Sequence, residues 1–234
     1  MKEYMIGVIG GLGPLATAKF IERVINLTDA NCDQENVDMI ILNHASVPDR
    51  TDYLLDNNKE NPLPYLIKDA KLLENIGCSY IAIPCNTAHA FLEYIEKNIN
   101  IKLINMVKLT IDKCNERNMK KVGLMATRGT IKTNIFDKYS NIELFKPNED
   151  IQNIIDKFIF DRVKKNKNVS LYEFNSILDY FYKNECDGVI LGCTELSVIK
   201  VDLKLNDSRI VDTLDVLAHN VIKLSGKKIK QGEK

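Results

Sequence analysis

A chain of 234 residues with 45% hydrophobic content can bury a sizeable core, as one large domain or two small ones. Its 32 Lys and Arg balance 32 Asp and Glu, which excludes a general binder of nucleic acid or anionic membrane, since both need excess positive charge. The six cysteines include no C-x-x-C pair, no apolar run reaches the ~18 residues of a membrane span, and no leader is visible. Reduced thiols in a cytoplasmic protein are therefore expected.

Apolar runs alternate with amphipathic stretches along the chain. A buried strand is expected at 4–9, a helix at 14–29 with Pro14 in its first turn, and a strand at 39–42 followed by a loop holding Pro48 and Asp49. A helix at 64–76, a strand at 80–83, a helix at 87–98 and a short strand at 102–104 follow. Then come a helix at 107–117, a strand at 122–125 and helices at 130–139, 150–165 and 171–184. A strand at 188–191 and a closing helix at 214–224 end the pattern, and the polar, basic residues 225–234 read as a frayed tail. Short strands alternating with helices predict an α/β fold with open parallel sheets.

A weak internal repeat organises the chain. Cys78 and Cys85 flank a buried strand, with Asn86 and Thr87 behind; Cys186 and Cys193 flank another at the same seven-residue spacing, with Thr194 behind. Ile6-Gly7-Val8-Ile9 likewise resembles Val122-Gly123-Leu124-Met125. This is the signature of two similar α/β halves.

Cys85 and Cys193 thus each follow a buried strand near the start of a helix, where open α/β sheets collect ligands. A helix start favours thiolate and can lower a thiol pKa. Two matched cysteines on opposite sides of a carbon can do what one cannot: one removes a proton from one face while the other delivers a proton to the opposite face. Cys32, Cys78, Cys114 and Cys186 read as small buried hydrophobes.

Other motifs are weaker. Gly11-Leu12-Gly13-Pro14-Leu15-Ala16 fits a dinucleotide-binding turn, but Asn43 and His44 stand where the confirming acid is needed. That turn is either a tight strand-to-helix connection or a set of N–H groups, at Gly11 among others, for a substrate carboxylate. Arg50, after the second strand, is either a carboxylate grip or a solvated loop residue. Lys164, in a Lys-rich run, reads as a solvated helix end. His89 lies one helical turn beyond Cys85, yet a Cys–His hydrolase or a metal site would leave Cys193 unexplained. His44 and His219 read as structural or surface residues.

Four motifs in this order resemble the aspartate/glutamate racemase superfamily, and within it the cofactor-independent aspartate racemases. They are Gly10-Gly11-Leu12-Gly13-Pro14-Leu15-Ala16-Thr17, Pro48-Asp49-Arg50-Thr51, Pro84-Cys85-Asn86-Thr87-Ala88-His89 and Leu191-Gly192-Cys193-Thr194-Glu195-Leu196. The chain lacks the Asp-Ser-Gly opening and the Thr-His-Tyr of the glutamate racemases, which favours the aspartate branch. The resemblance implies two pseudo-symmetric Rossmann-like domains with the site between them, residues 1–103 plus 209–234 forming the first and 104–208 the second. It implies a homodimer, no pyridoxal phosphate and no metal, with a small acidic amino acid as the partner of the site. Cys85 and Cys193 carry over as the catalytic pair, and Arg50, Asn86, Thr87, Thr127, Lys164, Thr194 and Gly11 as substrate contacts; the roles of Glu195 and His89 stay open. Other substrates on the same scaffold are a glutamate, a broader set of amino acids, a hydantoin or maleate; a binder that has lost turnover is the remaining alternative.

Overall fold

A computed structural model describes residues 4–232. Among them, eight strands form two parallel sheets of four, ordered β2-β1-β3-β4 and β6-β5-β7-β8. The first sheet uses β1 (Ile6–Gly10), β2 (Met39–Asn43), β3 (Tyr80–Ala82) and β4 (Lys102–Leu103). The second uses β5 (Lys121–Ala126), β6 (Glu143–Phe145), β7 (Gly188–Gly192) and β8 (Ile210–Asp212). The identical order is the expected repeat: β1 matches β5, and β3 matches β7. β1 and β7 are buried at every residue, because helices cover both faces of each sheet.

The helices are α1 (Pro14–Leu27), α2 (Arg50–Leu55), α3 (Leu63–Ile76), α4 (Leu92–Glu96) and α5 (Met106–Glu116) in the first part of the chain. α6 (Arg128–Thr133), α7 (Glu149–Asp156), α8 (Leu171–Lys183), α9 (Thr194–Asp202) and α10 (Thr213–Leu224) complete the set. None is long and apolar enough to cross a membrane among the described residues. Local chemistry sets their ends. Pro14 opens α1, and α8 starts on a capping box in which Ser170 and Glu173 satisfy each other's backbone N–H groups.

The closing helix crosses back to the first half. Leu217, Val221 and Ile222 of α10 pack with Phe20, Val24 and Leu27 of α1 and with Ile6 and Val8 of β1. Each such fully buried side chain contributes about 1.5–3 kcal/mol.

Several expectations need correction. The second half runs further than residue 208, because β8 pairs with β7 and only α10 crosses over. The helix expected at 87–98 is a 3₁₀ turn, Thr87–Phe91, followed by α4. The helix at 130–139 stops at Thr133, where Asn134 adopts φ +51°. The helix at 150–165 ends its α-helical part at Asp156 and continues as a π-helical turn over Lys157–Arg162 and a 3₁₀ turn over Val163–Lys165. The tail is not frayed up to residue 230: the N–H of Asp29 donates to Lys228 O at 2.8 Å, the N–H of Lys230 to Leu27 O at 2.9 Å, and Ile229 packs on the core. Residues 233 and 234 of that tail lie outside the described residues.

Candidate active site

In each sheet the chain leaves the first strand to one side and the third to the other, which opens a crevice at their carboxyl ends. Cys85 follows β3 and Cys193 follows β7, so the two crevices each present a thiol. They line one shared buried cavity together with Arg50, Asn86, Thr87, Thr127, Lys164 and Thr194. Eight of the nine sequence-derived site residues therefore converge from both halves.

The ninth, Gly11, does not reach this cavity. Its N–H donates to Thr17 Oγ1 at 2.9 Å, so it is not free for a substrate carboxylate. Gly11 serves the turn instead: φ is +84°, and a Cβ there would lie 2.5 Å from the backbone of His44.

Arg50 is the first residue of α2, not a loop residue, and is 7% exposed. Its guanidinium donates to the carbonyls of Leu12, Val47 and Pro48, while Nε is buried without a partner. Three of the five donors of the expected carboxylate grip are thus spent on backbone; charge and two N–H groups, on Nε and Nη2, remain.

Lys164 stays exposed to solvent, as expected of its lysine-rich run, but it also lines the cavity. The 3₁₀ turn carries it back over the site, where Nζ donates to Asp49 Oδ2 at 3.1 Å and sits 4.4 Å from the Phe160 ring centre. Burial opposes its charge, but Asp49, then Glu195 and Cys193, outweigh that and hold its pKa above the usual lysine value. Asp49 is pushed up by burial and pulled down further by Lys164 and Arg50, so it stays ionised. The same carboxylate caps α2, accepting from the N–H groups of Thr51 and Asp52.

The two thiols have unequal surroundings. Burial pushes both upward, which overrides the lowering expected of a helix start. At Cys85 the Arg50 charge and the N–H of Ala88 oppose that rise, while Glu195 adds to it. At Cys193 the rise is larger, because Glu195 adds to burial through its charge and by accepting the S–H at 2.9 Å. Glu195 is 5% exposed and reaches across to the first half; a Cβ at Gly13 would stand 2.5 Å from its Oε1.

A cluster of hydroxyls closes one wall. Thr87 Oγ1 lies 3.1 Å from Thr127 Oγ1 and 2.9 Å from Thr130 Oγ1, and Thr51 donates to Thr127 at 3.3 Å. These hydroxyls can rotate to donate to an anion. Asn86 donates through Nδ2 to Thr213, leaving Oδ1 buried and unpaired.

His89 holds the backbone. Nδ1 lies 2.9 Å from Cys85 O, and Nε2 accepts the N–H of Met106 at 3.2 Å, an arrangement that places the ring proton on Nδ1. Burial lowers its pKa below 6.5, keeping it neutral. It fixes the turn after Cys85 and leaves the thiol alone.

Sequence reasoning missed Asp49, Thr51 and Thr130, and left Glu195 without a role. Asp49 and Thr51 flank Arg50 in a motif already singled out. Thr130 had no local signal.

The shared cavity measures about 20 Å³, room for about one water. An outer chamber of about 460 Å³ adjoins it and shares Leu12, Asp49, Arg50, Lys164 and Glu195 as walls. The Asp49–Lys164 ion pair lines both spaces.

The Asp/Glu/hydantoin racemase family matches residues 9–221. The Picrophilus torridus aspartate racemase structure is 30% identical and superimposes with a TM-score of 0.86 over 98% of this chain and 97% of that one. The broad specificity amino-acid racemase RacX of Bacillus subtilis (strain 168) is 26% identical over 93% of this chain and 96% of its own length. The glutamate racemase of Aquifex pyrophilus is 25% identical over 72% of this chain and 68% of its own.

Proposed function

Since the chain belongs to the Asp/Glu/hydantoin racemase family, we propose that it interconverts L- and D-aspartate by proton transfer between two cysteines, without pyridoxal phosphate or a metal. One observation carries this reading: thiols from equivalent places in two repeated sheets line a single cavity that also holds two cations.

In this mechanism one cysteine starts as thiolate and the other as thiol. The thiolate takes the α-proton, the electron pair stays on the α-carbon, and the thiol gives its proton to the opposite face. The pair ends with its charge unchanged and its protons exchanged. The α-proton is weakly acidic, so the site must stabilise the carbanion through charge and donors already in place. Arg50 and the threonine hydroxyls supply these on one side, Lys164 on the other. Glu195 is the group that can take the Cys193 proton when Cys193 must act as base.

Aspartate matches the two cations: its second carboxylate exchanges for Asp49 on Lys164, and the cavity, which now has room for about one water, widens to take it. Substrate comes in from the outer chamber as that ion pair parts. The second reading is a broader amino-acid range, favoured by the similarity to RacX over nearly the whole chain.

Chiral chromatography over a panel of L- and D-amino acids in deuterium oxide tests both. Aspartate should racemise with deuterium at the α-carbon. Equal rates on several neutral amino acids would replace aspartate with the broader reading, and no turnover across the panel would remove the racemase reading.

A further inference from the structure

Thr213, the first residue of α10, lies outside the cavity but bonds to the residue that follows Cys85 and to the strand that leads into Cys193. Its Oγ1 accepts from Asn86 Nδ2 at 2.9 Å and donates to Leu191 O at 2.8 Å. Asn86 directly follows Cys85, and Leu191 stands two residues before Cys193. Thr213 is fully buried, and Asn86 is 2% exposed.

The hydroxyl has one hydrogen, and Leu191 takes it. What remains toward Asn86 is lone pairs, so only the NH₂ end of the amide can face Thr213. A flipped amide would set two acceptors against each other. The other end, Oδ1, is therefore presented as a buried acceptor on a side chain that lines the cavity, and it has no partner. A buried acceptor left unmet is unfavourable, and a ligand donor can relieve it.

Thr213 is itself held firmly. The preceding Asp212 accepts from Ser197 at 2.6 Å and from Lys200 at 3.1 Å, and Lys200 also donates to Asp215, which pairs with Arg23 of α1. Two helices, α9 and α1, thus brace the start of α10.

We propose that Thr213 is a positioning residue that fixes the Asn86 amide with its carbonyl toward the substrate, so that the site reads a protonated α-amine. This rests on the amino-acid reading of the site, and it adds what makes the site choose an amino acid over a plain dicarboxylate. The acceptor Oδ1 is met by the ammonium of aspartate and left unmet by succinate, which has the same two carboxylates and no amine.

The test compares L-aspartate and succinate affinities by calorimetry for wild type, Thr213→Val, Thr213→Ser and Asn86→Leu, with racemisation and melting temperature measured on each. Wild type should favour aspartate. Thr213→Val frees the amide to turn and should shrink the aspartate-to-succinate preference by about tenfold. Thr213→Ser keeps the hydroxyl and should restore the preference. Asn86→Leu should lose it, and adding Thr213→Val to Asn86→Leu should change it no further. If valine is not tolerated, Thr213→Ala takes its place. A folded Thr213→Val with the wild-type preference overturns the proposal, as does an equal loss for both ligands, the mark of a merely structural role. Wild type that racemises nothing removes the enzymatic reading, while the affinity ratio still judges Thr213.

Discussion

Cys85 and Cys193 hold equivalent places in two equivalent sheets, yet their surroundings differ in charge. Cys85 has the Arg50 guanidinium and the N–H of Ala88 to favour its thiolate. Cys193 has a carboxylate, Glu195, accepting its proton. A repeated fold supplies matched positions, but proton exchange needs one thiolate and one thiol at the start of each turnover. Symmetry of the backbone gives the matched positions, and asymmetry of the neighbours gives the proposed exchange its bias. Burial raises both thiols, so the difference is one of degree: in the proposed mechanism Cys85 is the better-supported thiolate and Cys193 the thiol.

The largest expected effect comes from removing either thiol. Cys85→Ser and Cys193→Ser should each lower racemisation by about 10³-fold, within the range for loss of a general acid or base. The comparison adds a sharper requirement. In deuterium oxide the surviving cysteine can still wash out the α-proton of the enantiomer it faces. Cys85→Ser should exchange one enantiomer and Cys193→Ser the other. If both variants exchange the same enantiomer, the two thiols do not serve opposite faces.

Glu195→Gln breaks the asymmetry while keeping both thiols. We expect kcat/KM to fall about 10–100-fold. The fall must be equal in both directions, because a racemase has an equilibrium constant of one; any unequal effect on kcat must be matched by an equal imbalance in KM. The carboxylate holds the Cys193 pKa up, so its loss should move Cys193 alkylation by iodoacetamide to lower pH. This is measured in a Cys85→Ser background by mass spectrometry at several pH values. An unmoved profile would mean that the carboxylate and thiol are not coupled.

The sheets and their repeat were legible because buried parallel strands are runs of Val, Ile and Leu, and both cysteines follow such runs. Other elements lacked a period to read. α9 is buried along Thr194 to Ile199 on every side, so no polar face alternates with an apolar one. β6 and β8 are edge strands of three residues, and β8 ends on the buried Asp212. In the site, Cys85, Cys193, Asn86 and Thr87 could be read because motif and strand place them. Lys164 lies in a run of lysines that looks solvated, and only its pairing with Asp49, far away in sequence, turns it inward. Thr213 and Thr130 act across similar gaps, through hydrogen bonds that leave no trace in local pattern.

A smaller effect tests the two cations against each other. Arg50 spends three of its five donors on backbone carbonyls, whereas Lys164 holds a carboxylate that a substrate can replace. Lys164→Met should therefore raise KM for aspartate about 10–100-fold, the worth of one hydrogen bond to a charged group, with a lesser fall in kcat. Any residual turnover of neutral amino acids should be little changed. Steady-state kinetics on aspartate and alanine measure this; an equal loss on both would mean that Lys164 acts on the cysteines and not on the side-chain carboxylate.

The smallest effect concerns stability and again separates the halves. Four residues after Cys85 is His89, bonded to the Cys85 carbonyl; four after Cys193 is Ser197, bonded to Asp212. Only the first can titrate near neutrality. Burial holds His89 neutral in the folded protein, with a pKa below the ordinary 6.5, while the unfolded chain binds the proton at that ordinary value. The stability from this difference is therefore fully present above about pH 6.5 and is lost as pH falls from there toward the folded pKa. Melting temperature should drop between pH 7 and pH 5, and His89→Gln, though less stable at pH 7, should show a shallower drop. Differential scanning calorimetry of the two proteins across that range gives the comparison. Parallel slopes would mean that His89 is not the group through which acid loosens the Cys85 half.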